Sequence, residues 1–134
     1  MNFSVEVSES GHVTSICLAG EVDAYTTPAF AQAVKTSLQR GAAHFVIDLE
    51  GVTYIDSSGL GVLISTLKAL SARHGTLGIV AAQDEVRRLF AITGLDRVLT
   101  LHDNRSDALQ AARRVSLRAY RGAAQSVGAA PNAR

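Results

Sequence analysis

The sequence is poor in the residues that stabilise small secreted proteins. Its 134 residues contain one cysteine, two prolines, no tryptophan and only 5% aromatic residues. A single cysteine excludes an internal disulfide, so stability has to come from a hydrophobic core. Cys17 stands in an apolar run without a neighbouring base or a helix start, and we expect it to be a buried structural thiol.

An excess of charge of one sign is also missing. The chain has 13 basic and 12 acidic residues, a net charge of +1 at pH 7. This balance argues against nucleic acid as a partner. No apolar run approaches the roughly 20 residues that span a bilayer, and residues 1–7 lack the basic start of a signal peptide. We therefore expect a cytoplasmic protein without direct membrane insertion.

Known patterns for metals, nucleotides and catalysis are absent as well. The four histidines, His12, His44, His74 and His102, show no ligand spacing, which argues against a metal site. No Walker-type loop occurs, and the sequence around Ser57 is not Gly-x-Ser-x-Gly. We expect no cofactor and no catalytic residue.

What is present is an alternation of strand-like and helix-like segments in a chain long enough for one domain. The first half predicts strands at residues 3–8 and 13–19, the second ended by Gly20, and a strand at 45–49. Between them it predicts a helix at about 28–40, with a hydroxyl N-cap in Thr26-Thr27 before Pro28 and with Gly41 after its last turn. The second half predicts a helix from Ser57 to about His74, a strand at 77–81, a helix capped by Asp84 and Gly94, a strand at 98–101, and a helix from Ser106 or Asp107.

This order predicts an α/β domain with a mixed sheet, an N-terminal antiparallel hairpin and about four helices. We place the domain at residues 1–115. Residues 116–134 contain Arg118, Arg121 and Arg134 but no acidic residue, and we expect them to form a flexible basic tail.

The most informative segment is Asp56-Ser57-Ser58-Gly59-Leu60-Gly61, where a strand is predicted to meet a helix. Helix capping explains the aspartate and the serines. It does not explain two glycines in the first helical turn, since each costs roughly 0.5 to 1 kcal/mol relative to alanine in a helix interior. Close packing inside the protein and close approach by a partner or a phosphate are both open explanations.

Three stretches together resemble a known family. They are Val46–Leu49 leading to Val52–Leu63, Leu18–Asp23, and Val86–Phe90 with Thr93–Leu95. The chain resembles the bacterial anti-sigma factor antagonists of the STAS domain family over about residues 3–113.

The resemblance implies a regulatory protein without catalytic activity. Its partners would be an anti-sigma factor that is also a serine kinase, and a PP2C-type phosphatase. The unphosphorylated antagonist would bind the kinase and free a sigma factor for transcription. Phosphorylation would end that binding, and its expected position is Ser57, with Ser58 as the alternative.

The same resemblance indicates which residues contact the partner. These are Glu21, Asp23, Asp56, Ser57, Ser58, Gly59, Leu60 and Gly61. For Glu21 and Asp23, an ordinary acidic turn that caps the following helix is an equal alternative. The alternative function for the whole chain is a constitutive STAS adaptor subunit of another complex, such as a membrane transport system.

Overall fold

A five-stranded mixed sheet forms the centre of the protein. The computed structural model describes residues 2–81 and 83–129, with side chains as far as residue 118. The strands, in their order across the sheet, are β1 (Ser4–Ser10), β2 (Val13–Val22), β3 (His44–Ile55), β4 (Thr76–Val80) and β5 (Thr100–His102). β1 is antiparallel to β2, and every later neighbouring pair is parallel.

The helices are α1 (Thr27–Gln39), α2 (Ser57–Ser71), α3 (Asp84–Thr93) and α4 (Arg105–Ala129), with a short 3-10 turn at Leu95–Arg97. The predicted α/β class, hairpin and helix number are confirmed. In the described part of the chain, no helix has the length and hydropathy needed to cross a bilayer.

The two faces of the sheet are covered unequally. One face carries the main core, which includes Phe30, Phe45, Leu63 and Phe90, all with no exposed surface. On the other face, α4 packs Ala108 and Ala112 over a smaller group that contains Val13, Val46 and Val80. Large apolar side chains thus fix α1, α2 and α3 against the sheet.

Both central strands run further than their apolar runs predict. Gly20 does not end β2, because its φ of +97° accommodates an irregularity in the pairing, after which β2 continues to Val22. β3 continues through Gly51 to Ile55, which pairs with Val22. The extra pairs bring the ends of β2 and β3 side by side immediately before Asp56.

Two predicted helix caps are wrong. The Thr26 side chain caps no α1 amide, and its hydroxyl instead donates to the carbonyl of Glu21 at 2.7 Å. Asp84 is the first residue of α3 and follows the extended Gln83, so it contributes charge to the first turn and does not cap it. Gly41 and Gly94, with φ of +90° and +77°, take the left-handed conformation expected after α1 and α3.

The last helix runs into the segment where a flexible basic tail is predicted. The backbone of α4 is helical to Ala129, well beyond residue 116. Alanine and arginine, which are frequent here, are good helix formers, and no proline interrupts the run before Pro131. Residues 130–134 lie outside the described residues.

Cys17 is only half-buried, contrary to expectation. It lies on the sheet face that α4 covers incompletely, and its Sγ is 4.0 Å from Oδ2 of Asp48. Burial of the thiol is the largest cause that raises its pKa, and the carboxylate of Asp48 adds to the effect. The thiol is therefore kept protonated.

Candidate functional site

Asp56 caps α2 at the point where β3 ends. Its backbone is extended, and its Oδ1 accepts hydrogen bonds from the amides of Ser58 and Gly59 at 2.9 and 3.3 Å. The same oxygen accepts from the Ser58 hydroxyl. This hydroxyl is the largest cause that holds the pKa of Asp56 below its usual value, and the two amides add to it. The carboxylate is therefore ionised and fixed in orientation.

The two serines next to Asp56 are in different environments. The Ser58 hydroxyl is half-buried and lies between Oδ1 of Asp56 and the Thr27 hydroxyl, which is 3.0 Å away. Ser57, the first residue of α2, is exposed. Among the residues that the structure describes, nothing forms a hydrogen bond with the Ser57 hydroxyl. Ser58 thus ties α2 to α1, whereas the Ser57 hydroxyl is open to solvent.

The loop before α1 lies beside this helix start. The Asp56 amide donates to the carbonyl of Val22 at 3.0 Å, and the Thr27–Ser58 contact joins the two helix beginnings. Within the loop, the Asp23 carboxylate accepts from the amides of Tyr25 and Thr26 at 2.9 and 3.1 Å. Asp23 therefore does organise the turn into α1, as the alternative interpretation predicted, and it does so next to Asp56.

Glu21 stands at the end of β2, where it pairs with Tyr54 of β3. Its carbonyl accepts the Thr26 hydroxyl, so its backbone is part of the turn. Both acidic residues proposed from sequence therefore lie at the same edge of the sheet as the start of α2.

The two glycines of α2 have different surroundings. A Cβ atom at Gly59 would lie 2.6 Å from Cγ1 of Val22 and 2.7 Å from Cγ1 of Ile55, distances that no real Cβ atom adopts. Internal packing therefore explains Gly59. A Cβ atom at Gly61 would meet nothing within 4 Å. Packing inside the described chain gives no reason for this second glycine.

A groove of 510 Å³ runs beside Ser57, between α2 and α3. Tyr54, Leu60 and Leu89 supply apolar surface, and Glu85 adds a carboxylate. Tyr54 is 51% exposed. The exposed Ser57 therefore lies at the edge of a largely apolar groove.

These features agree with one protein family. The profile of the STAS domain matches residues 4–108, most of the chain. The chain belongs to the STAS domain family. Because the match ends at residue 108, most of α4 lies beyond the part shared with the STAS profile.

Named relatives of this STAS domain are regulators. An anti-sigma-B factor antagonist of Staphylococcus aureus is 34% identical over 103 residues, which cover 77% of this chain and 95% of the relative. One of Listeria monocytogenes is 38% identical, over 75% of this chain and 90% of the relative. Among solved structures, an anti-sigma factor antagonist from Mycobacterium paratuberculosis has a TM-score of 0.78 at 33% identity, covering 84% of this chain and 95% of that one.

Sequence reasoning missed three side chains around the STAS helix start. Tyr25 is 94% exposed at the tip of the loop before α1, while Tyr54 and Leu89 line the groove. Tyr54 stood inside the recognised motif, but its exposure depends on β3 continuing to Ile55. Leu89 stood inside the recognised stretch Val86–Phe90, but it reaches the groove only through the packing of α3.

Proposed function

We propose that this chain is an anti-sigma factor antagonist that works by partner switching. Unphosphorylated, it binds an anti-sigma factor that is also a serine kinase, and the sigma factor held by that kinase is released for transcription. Membership of the STAS family and relatives of that name, matched over at least nine tenths of their length, support this function.

In this proposal the kinase phosphorylates Ser57. The observation that carries the assignment is the contrast between the two serines, since the Ser57 hydroxyl is exposed and unbonded while that of Ser58 is bonded to Asp56 and Thr27. A kinase that modified Ser58 would first have to break both contacts. Ser57 is therefore the easier phosphate acceptor, because its hydroxyl has no hydrogen bonds to lose.

Phosphorylation at this position changes binding more than folding. The phosphate adds about 1.5 to 2 negative charges at a helix N-terminus, where the helix dipole favours them. For a docked partner the same group brings bulk and negative charge beside the ionised Asp56 and, in the groove, Glu85. A loss of about 3 kcal/mol would weaken binding roughly a hundredfold.

The proposed partner surface is the edge of the sheet formed by Glu21, Asp23, Asp56, Ser57, Ser58, Gly59, Leu60 and Gly61. Two observations support it. The open space around Gly61 leaves room for a partner backbone next to Ser57, and Leu60 presents apolar surface to the groove. Within this set, Ser58 and Gly59 shape the surface through internal contacts, and Ser57 and Gly61 face the partner.

The remaining parts of the scheme are proposals of the same kind. A PP2C-type phosphatase restores Ser57, the protein acts in the cytoplasm, and the chain catalyses no reaction of its own. The exposed position of Ser57 suits both a kinase and a phosphatase, since either enzyme must bring its own groups to the hydroxyl oxygen.

Phosphate mapping tests the assignment of the serine. The full chain and its Ser57→Ala and Ser58→Ala variants are incubated with ATP and the serine-kinase anti-sigma factor of the same organism, followed by intact-mass and peptide analysis. We expect one phosphate on Ser57 in the wild type and in Ser58→Ala, and none in Ser57→Ala. Phosphate on Ser58 alone would overturn the assignment. Absence of both binding to such a kinase and phosphate on either serine would favour the constitutive adaptor of another complex.

A further inference from the structure

A second cavity lies at the opposite end of the sheet from Ser57. It has a volume of 380 Å³, and its walls are the turn between β1 and β2, the loop between α1 and β3, and α4 through Ser116. β2 and β3 are parallel, so their first residues meet at this edge, whereas Ser57 follows the last residue of β3. The cavity is therefore remote from the proposed partner surface.

One wall of the cavity includes a buried histidine, His44. His44 is only 7% exposed, and its Nδ1 lies 2.9 Å from the Thr76 hydroxyl. Within the described chain, Nε2 of His44 has no hydrogen bond. A buried polar group left unsatisfied is costly, and most such groups in native proteins have a partner. Because His44 lines the cavity, a molecule in the cavity could supply that partner.

The groups around His44 favour an anion. Arg40 and His12 line the same cavity, and Glu9 is the one carboxylate among its described lining residues. A guanidinium and an imidazole are the side chains that bind phosphate and carboxylate oxygens through charge-assisted hydrogen bonds. The volume falls within the range of small-molecule sites, about 300 to 1,000 Å³.

The turns at the mouth of the cavity leave it open. Gly11 and Gly41 have φ of +63° and +90°, and a Cβ atom at either would meet nothing within 4 Å. Their conformation places bare backbone at the rim, where small oxyanions can approach closely. We propose that this cavity binds a small metabolite with a phosphate or carboxylate group, held by Arg40 and His44.

The titration of His44 gives an independent readout. Burial is the largest cause that lowers the pKa of His44, and the neighbouring His12 lowers it further. Among the described residues that line the cavity, the charged and titratable groups near His44 are Glu9, His12 and Arg40, and α4 contributes the uncharged Ser116. The negative charge of a bound anion would favour the charged imidazolium and raise the pKa of His44, so the anion would bind more tightly as the pH falls.

Nuclear magnetic resonance on the full chain tests the site. Inorganic phosphate, glycerol phosphate and acetate are added separately at constant ionic strength, and the His44 ring and the amides of Gly11 and Gly41 are followed. We expect shifts that saturate and a raised pKa for His44. Saturation by either phosphate probe assigns a phosphate ligand, and saturation by acetate alone assigns a carboxylate ligand.

Two arginine variants test whether anion binding depends on this cavity or only on the positive charge of the protein. Arg40→Gln should weaken binding about tenfold or more, since it removes a charged hydrogen bond. Arg88→Gln, at an exposed position of α3, should leave the affinity unchanged. His44→Gln serves as a second variant if it folds, and Arg40 is exposed, so its replacement leaves the core intact. Shifts that rise linearly without saturating for all three probes, or equal weakening in Arg88→Gln, would overturn the proposal.

Discussion

The first turn of α2 has an inner and an outer side, and the two sides contrast. On the inner side, the Ser58 hydroxyl is bonded to Asp56 and Thr27, and Gly59 packs against Val22 and Ile55. On the outer side, Ser57 and Gly61 are exposed, the serine hydroxyl without a partner and the glycine without a near neighbour. Serine and glycine each occur once on each side. Ser58 and Gly59 thus stabilise the fold, and we propose that Ser57 and Gly61 contact a partner.

The largest difference in stability is expected between the two glycines. Gly59→Ala forces a methyl group into the side chains of Val22 and Ile55 and should lower the free energy of unfolding by about 1 to 3 kcal/mol. Urea denaturation of this variant, with Gly61→Ala as the matched control, measures the difference. Equal stability of the two alanine variants would contradict the claim that internal packing requires glycine at position 59 and not at position 61.

The two serines should differ in the same direction by a smaller amount. Ser58→Ala loses contacts with Asp56 and Thr27 and should lower the free energy of unfolding by about 1 kcal/mol. Ser57→Ala removes an exposed hydroxyl and should change it by less than about 0.5 kcal/mol. The thermal midpoints of unfolding of both variants measure this difference in stability. A Ser57→Ala variant that is less stable than Ser58→Ala would contradict the claim that Ser58 is the serine that stabilises the fold.

Gly61→Ala should separate stability from binding. Alanine is the better helix former, so the variant should gain up to about 1 kcal/mol of stability. Its added methyl group projects toward the proposed partner, and binding to the kinase should weaken. Calorimetric titration and urea denaturation of the same preparation give both values. Unchanged binding would leave Gly61 without the function proposed for it.

The smallest expected effect is the loss of folding stability at acid pH that comes from Asp56, which bonds to Ser58 on the inner side. The pKa of Asp56 is lowered in the folded state, so its ionised form stabilises the fold. That contribution is complete above the ordinary aspartate pKa of about 4 and is lost as the pH falls from there through the lower folded pKa.

Asp56→Asn keeps a capping side chain without a titratable group. Compared with this variant, the wild type should therefore lose stability as the solution is acidified below pH about 4. Urea midpoints of both proteins at neutral and acid pH measure the change. A stability difference that is the same at all pH values would show that ionisation of Asp56 does not stabilise the fold.

Local patterns in the sequence predicted most of the elements but few of their long-range consequences. Apolar periodicity located β1, α1 and α2 because each buries one face against the core. The extension of β2 beyond Gly20 depends on pairing with β3, where Val22 pairs with Ile55, and no local signal reports such a register. The cap of α1 was misassigned for the same reason, since the Thr26 hydroxyl is used by the end of β2.

The long-range contacts of the candidate site were likewise not predictable from local patterns. Capping and resemblance led to Asp56 and Ser57, but the sequence left the same two explanations open for both glycines. Only the position of Val22 and Ile55 distinguishes Gly59 from Gly61. The groove beside Ser57 was also out of reach, because Leu89 joins Leu60 there through the packing of α3 on the sheet.

Ser57 carries the central claim, which is that its modification controls binding and leaves the fold intact. The most direct measurement compares the unphosphorylated protein with the protein phosphorylated on Ser57, for affinity to the serine-kinase anti-sigma factor and for the urea midpoint of unfolding. We predict that affinity falls roughly a hundredfold while the free energy of unfolding stays within about 1 kcal/mol. Unchanged affinity, or a loss of affinity that is matched by unfolding of the phosphorylated protein, would contradict the account.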